Sequence, residues 1–376
     1  MTKSFKNKIY IAVCVTISII VMIGCSILGG IAIKRLKLYN NHDFKNLINS
    51  ANKVVLFIGD GMGDNQIKNT SLYYNKSISF TEFEHSGHIT TFSYNILGPT
   101  DSAAAGSALA TGKKYDNGEV ARHKGKDIES ISEYAKSLGL GVSVITTDKL
   151  YGATPASFSA HANNRSDKDE IISYQIDSNI DLFLGAGIQS YTAQKESFKS
   201  NGYTFTSDYS ELDLNSNKII GAFSEVLPNN GTNVTPTLEM LTEFGIEFME
   251  KHFPNGYFMM IEGAHIDKKS HSNDIMGMME YLVNFDNSIN LVKNKFEDKN
   301  NCAIFVTADH ETGGLRLATN KTQISDVLYQ TGGHTEANVP YYISFKTTKR
   351  IKLEDEISDT MDNTEIYKMI RAMLTH

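Results

Sequence analysis

The chain has 376 residues, enough for one large α/β domain or two smaller ones. Its formal net charge of -7, with no Lys/Arg block in the body, excludes nucleic-acid binding as its main business. Of the three cysteines, Cys14 and Cys25 fall in an N-terminal apolar segment and leave Cys302 alone in the folded part, so packing rather than a disulfide must stabilise it.

In chain order, residues 1–8 are basic, with Lys3, Lys6 and Lys8. Residues 9–33 form an uncharged run of 25, long enough to cross a bilayer, and predict a transmembrane signal-anchor. A cleaved signal or lipidation near Met22–Cys25 is the alternative. Lysines and arginines flank both sides, so charge alone does not set the orientation. Residues 34–50 read as a polar tether, and 51–376 as the folded domain.

Apolar, β-branched runs at 54–58, 142–147, 257–261 and 302–307 predict buried strands, with further strands at 181–184 and 341–345. Three-to-four spacing of apolar residues predicts helices at 127–138, 168–176, 236–252 and 272–296. Alternation of the two implies an α/β fold, a mostly parallel central sheet with helices on both faces. The polar region 189–216 reads as an insertion, and the Gly- and Thr-rich 312–335 as loops.

Chemistry collects after the strands. Asp60 follows the first; Glu262, Asp267 and His271 follow 257–261; Asp309 and His310 follow 302–307; Thr154 and Arg165 come after 142–147. Ligands of open parallel sheets bind beyond the carboxyl ends of the strands. Asp267 and His271 are four apart, on one helical face, and can grip one ion. His334 adds an imidazole in a glycine-flanked loop. "GPTDSAAAGSALATG" puts Asp101 and Ser102 at the head of a helix of small residues, with Thr100 or Asp101 as N-cap. Unpaired N–H groups and the helix dipole there favour phosphate. His161 lies one turn before Arg165 and helps shape its surroundings, while His85, His88, His123 and His265 read as structural or surface groups.

"VVLFIGDGMG", "GPTDSAAAGSALATG", "GATPASFSAHANNR", "MIEGAHIDKKSH", "FVTADHETGG" and "GGHTEANVP" resemble, in order, the successive motifs of the alkaline phosphatase family, over about residues 54–340. The resemblance implies hydrolysis of small phosphate monoesters through a phosphoserine at Ser102, assisted by two zinc ions and one magnesium ion. It implies that Asp267, His271 and His334 hold the first zinc, and that Asp309, His310 and Asp60 hold the second. Asp60 also reaches a magnesium completed by Thr154 and Glu262. Arg165 clamps phosphate, Asp101 steadies that arginine, and Lys268 is a substrate-binding residue. Zinc loading in the family usually occurs outside the cytoplasm, so the expected location is the cell membrane, single-pass, with the catalytic domain extracytoplasmic.

Two departures stand out. Gly152 occupies a position where many relatives carry Asp or His, which leaves Lys268 expected to lack a partner and the magnesium site less supported. The short loop between His310 and His334 implies a reduced accessory crown, which leaves a homodimer open. The alternatives are a phosphodiesterase or other metal-dependent member of the superfamily, and a non-catalytic phosphate-binding protein.

Overall fold

The apolar runs become the middle of a ten-stranded sheet in the computed structural model, which describes residues 44–94, 98–296, 301–346 and 359–375. In chain order the strands are β1 (Lys53–Ile58), β2 (His85–Thr90), β3 (Gly141–Lys149), β4 (Leu182–Ala186), β5 (Thr204–Thr206), β6 (Ile219–Phe223), β7 (Tyr257–Glu262), β8 (Cys302–Thr307), β9 (Val339–Lys346) and β10 (Thr360–Asp362). Their spatial order is β10-β2-β9-β8-β1-β7-β3-β4-β6-β5. All neighbours pair in parallel except the two pairs made by β9, so β9 runs against the rest. Every residue of β7 and β8 is buried, as strands covered on both faces require. The α/β expectation holds.

Register decides where the chemistry goes. Ile58 pairs with both Thr307 and Glu262, and Glu262 pairs in turn with Thr146. Three central strands therefore end on one line, which β3 crosses at Thr146 before ending at Lys149, and the residues just past that line share one edge. Gly61, in the loop after β1, has φ +72°, and a Cβ there would lie 2.8 Å from the Asp267 backbone. Only glycine allows both that left-handed turn and so close an approach.

The helix Ser102–Thr111 is buried at every residue. It packs against the short helix Ala153–Ser157, where a Cβ at Gly106 would meet Ser157 Oγ at 3.1 Å. Small side chains thus let the segment carrying Ser102 and the segment carrying Thr154 approach closely.

Several boundaries differ from expectation. The helix expected at 127–138 spans Ile131–Ser137, because Ser130 and Glu133 form a reciprocal capping box, and Lys126–Asp127 instead pair with Arg122–His123 in a short hairpin. The helix expected at 272–296 begins at Ile275; Asn273, at φ 56°, separates it from the helix His265–His271. The supposed insertion at 189–216 contains two short helices and β5, and so builds the sheet's edge. Phe44 and Leu47, within the stretch 34–50 expected as a tether, are buried in the core; residues 34–43 lie outside the described residues. The segment 9–33 lies outside the described residues. Among the described residues, no helix is long and apolar enough to cross a membrane.

Candidate active site

Asp101 caps the Ser102 helix: its Oδ1 accepts from Ala104 N at 2.9 Å. Its other oxygen accepts from Gly118 N at 3.1 Å and from Arg165 Nη1 at 3.2 Å. One carboxylate therefore fixes the helix end and holds the guanidinium. Ser102 Oγ lies at the head of the helix, 3.2 Å from His310 Nε2.

Around that hydroxyl the ligating atoms converge. His310 Nε2 is 3.2 Å from Asp309 Oδ2 and 3.5 Å from Asp60 Oδ1. His271 Nε2 is 3.3 Å from Asp267 Oδ2 and 3.1 Å from His334 Nε2, and the latter is 3.7 Å from Asp267 Oδ1. Asp267, His271 and His334 can bring one atom each within 4.8 Å of one another, and so can Asp60, Asp267 and His310. Asp267 therefore borders both groups. The rings of His310 and His334 stack at 3.5 Å between centroids.

Each imidazole is turned by its other nitrogen. His271 Nδ1 lies 2.6 Å from Gly332 O, His334 Nδ1 lies 2.8 Å from Thr100 O, and His310 Nδ1 lies 3.2 Å from Thr312 Oγ1. Hydrogen bonds at Nδ1 leave Nε2 as the ligating atom in all three. Thr312 also donates to Asp267 Oδ1 at 2.5 Å.

The electrostatics call for cations. Burial, then the charges of Asp309, Asp267 and Glu262, hold the Asp60 carboxyl well above its usual range. Burial, then the charge of Asp148, pushes Glu262 up to about 8 against the hydrogen bond from Thr146. Asp309 is raised by burial and by Asp267. Burial opposes ionisation of Asp267 too, but hydrogen bonds from His271 and Thr312 and the charge of His310 win, and its pKa is lowered. Burial lowers His310, whereas the bond to Asp267 raises His271. Asp60 Oδ1, Asp309 Oδ2 and Thr154 Oγ1 are buried without a hydrogen-bond partner. Unpaired buried oxygens among crowded carboxylates are costly unless positive charge satisfies them. The donor set, Asp, His, Glu and Thr, suits zinc- and magnesium-like ions. The residues fit such ions.

One expectation is overturned. Lys268 does not lack a partner: its Nζ pairs with Asp148 Oδ1. The reason lies at Gly152, where an added Cβ would sit 2.7 Å from Asp148 Oδ2. The empty position lets the Asp148 side chain fold across the turn and reach Lys268. The backbone N–H of Asp148 donates to Thr146 Oγ1 at 2.8 Å, and Thr146 itself donates to Glu262. Sequence reasoning missed Asp148, although it is a carboxylate at a strand's carboxyl end, as Asp60 and Asp309 are.

Among the described residues, His161 bonds to Ala121 and Glu133 and to none of the ligating side chains. It is buried, with Nδ1 2.8 Å from Ala121 O and Nε2 2.9 Å from Glu133. His265 stacks on Tyr281 at 4.6 Å and His88 pairs with Asp64 at 2.9 Å, both structural roles. His123 sits with Asp116 and Glu119, but Glu119 already accepts from His123 and from the backbone of Asp116 and Lys124.

A family model described as alkaline phosphatase matches residues 51–372. Alkaline phosphatase 4 of Bacillus subtilis (strain 168) is 31% identical over 294 residues, covering 71% of this chain and 63% of that protein. Alkaline phosphatase 3 of the same organism is 29% identical over 71% of this chain and 62% of its own length. The chain thus spans about three fifths of those relatives. Among solved structures, the alkaline phosphatase of the Antarctic bacterium TAB5 superposes with a TM-score of 0.75 at 29% identity, covering 86% of this chain and 98% of that one. A mutant of the same TAB5 enzyme, with Mg bound in its M3 site, superposes with a TM-score of 0.75 at 27% identity, covering 88% of this chain and 99% of that one. With the match running through every strand and every site residue described above, the chain belongs to the alkaline phosphatase family, a family of metal-dependent enzymes.

Proposed function

We propose that the protein hydrolyses phosphate monoesters to an alcohol and inorganic phosphate through a phosphoserine at Ser102. The observation that carries this reading is the Ser102 hydroxyl at a helix N-terminus, 3.2 Å from His310 Nε2 and beside two convergent Asp/His groups.

Asp267, His271 and His334 would hold one zinc ion, and Asp60, Asp309 and His310 a second. Asp60, Thr154 and Glu262 would hold magnesium. When bound, such ions supply Lewis-acid charge to the attacking and leaving oxygens. The chain's own residues do the rest. The Ser102 helix presents its positive end to the phosphate, and Arg165, steadied by Asp101, offers its remaining N–H groups as a planar fork for phosphate oxygens. Ser102 Oγ attacks phosphorus and the ester oxygen departs with the alcohol. Water then attacks the same phosphorus and frees Ser102. Lys268, held by Asp148, stands at the border of the site as a fixed positive charge.

Release of p-nitrophenol from p-nitrophenyl phosphate, its loss with a chelator and its return with zinc and magnesium test the reading. Faster turnover of bis-p-nitrophenyl phosphate would assign a diesterase instead, and no turnover of either a phosphate-binding protein. The uncharged run 9–33 supports single-pass membrane attachment, and the family's metal loading outside the cytoplasm is what favours placing this domain there. Activity in the soluble fraction of lysed cells, rather than with membranes, would refute that part.

A further inference from the structure

The motif "FVTADHETGG" carries one carboxylate that the site above leaves unused. Glu311 directly follows the ligand residue His310, yet its oxygens are taken up elsewhere. Its Oε1 accepts from Gln66 Nε2 at 2.8 Å and from Leu315 N at 3.1 Å. Its Oε2 accepts from Gly314 N at 3.2 Å and from the Thr335 hydroxyl. Glu311 is buried, and among the described residues no lysine or arginine pairs with it. Neutral donors from three separate segments therefore satisfy a charge that would be costly to bury alone.

The chain makes room for this knot. A Cβ at Gly63 would lie 2.5 Å from Glu311 Cγ, so the last glycine of "GDGMG" is the space into which Glu311 packs. Gln66, on the helix Asp64–Tyr74, also donates to Thr312 O at 2.8 Å. Asn65 and Asn69 of the same helix hold the carbonyls of Leu315 and Arg316.

The knot reaches the metal ligands through register. Glu311 stands opposite Thr335, and Thr312 opposite His334, in a short antiparallel pair. Two other bonds to the His334 segment, at Gly332 O and Thr100 O, run through the ligand rings of His271 and His334 themselves. The Glu311–Thr335 bond needs neither ring. Such a brace matters most for the Asp267, His271 and His334 group, because the His271 side chain is 39% exposed whereas those of Asp309 and His310 are wholly buried.

We propose that Glu311 is a positioning residue for that group: it holds the His334 segment, through Thr335, at ligating distance from Asp267 and His271. The proposal rests on the reading above that these three residues hold zinc.

The test is competition for zinc at 25 °C between a chromophoric chelator and the full-length zinc-loaded chain, wild type, Glu311→Gln and Thr335→Val. The ion in question is the one whose binding His271→Ala abolishes. Glu311→Gln puts an NH2 where two donors point, and should weaken that ion about tenfold to a hundredfold. Thr335→Val keeps the charge and shape but loses the bond, and should weaken it about three- to tenfold. The other zinc should change less than threefold in both. Zinc affinity unchanged within twofold in Thr335→Val overturns the proposal, whatever Glu311→Gln does, because the effect would then be charge and not bracing. A lowered Tm with unchanged zinc affinity of the folded variants overturns it too, since that is a purely structural role. Wild-type protein that holds no zinc against the chelator overturns the ligand reading itself.

Discussion

Gly152→Ala is the most informative single change, because it tests why Asp148 sits where it does. The added Cβ would lie 2.7 Å from Asp148 Oδ2 and 2.9 Å from the Lys149 carbonyl, both closer than real Cβ contacts allow. Gly152 has φ -58° and ψ 161°, which alanine adopts freely, so the whole cost is steric. Overpacking of this kind costs about 1–3 kcal/mol, or about 2–6 °C in Tm for a domain of this size. In an Asp148→Ala background one of the two clashes is gone, so the same substitution should cost less, with a coupling of about 0.5–1.5 kcal/mol. Asp148→Ala alone should cost little, ~0–1 kcal/mol, because Lys268 is 44% exposed and its ion pair is partly screened. Thermal unfolding of the four proteins, metal-loaded, gives the cycle. An equal cost of Gly152→Ala in both backgrounds would refute the idea that Asp148 occupies the space glycine leaves.

Arg165→Lys keeps the charge but loses the planar fork and the bond to Asp101, so phosphate should bind about tenfold to a hundredfold more weakly, read as the inhibition constant for inorganic phosphate. Removing metal with a chelator should lower Tm by about 5 °C or more, since ions in hundredfold excess over their Kd stabilise by ~2.7 kcal/mol; an unchanged Tm would mean that the crowded carboxylates need no cation. His161 is raised above its usual 6.5, because the Glu133 hydrogen bond and charge overcome burial, and Glu133 is held below its usual 4.5 by His161 and Ser130 against its own burial. The pair's contribution is therefore full between about pH 4.5 and 6.5, lost as pH rises through the raised His161 value and lost as it falls through the lowered Glu133 value. The Tm difference between wild type and His161→Gln should peak in that window, and a flat difference from pH 4 to 9 would contradict the pairing.

The parts that were legible in the sequence are those set by one strand or one helix at a time. Continuous apolar runs marked β1, β3, β7 and β8, and the residue types just past them marked the site, because a parallel sheet brings its strand ends to one edge. The i, i+4 spacing of Asp267 and His271 was equally local. What escaped was contact between distant segments. β2 and β10 at one edge of the sheet and β5 at the other are short or polar, and they pair only because neighbours offer an edge. The Asp148–Lys268 pair spans 120 residues, and no periodicity announces it. Nor does any local pattern show that Thr312 braces Asp267, or that Thr100 and Gly332 turn the imidazoles through their backbone carbonyls. The capping box at Ser130 and the left-handed Asn273 were readable, but the apolar period was allowed to run past both.

The central claim is that Ser102 carries the phosphoryl group. Incubating the metal-loaded protein with labelled inorganic phosphate, quenching in acid and mapping the label by peptide mass spectrometry measures it directly. The label should reside on Ser102 and vanish in Ser102→Ala together with monoester turnover. Label on another residue, or full turnover by Ser102→Ala, would contradict the account.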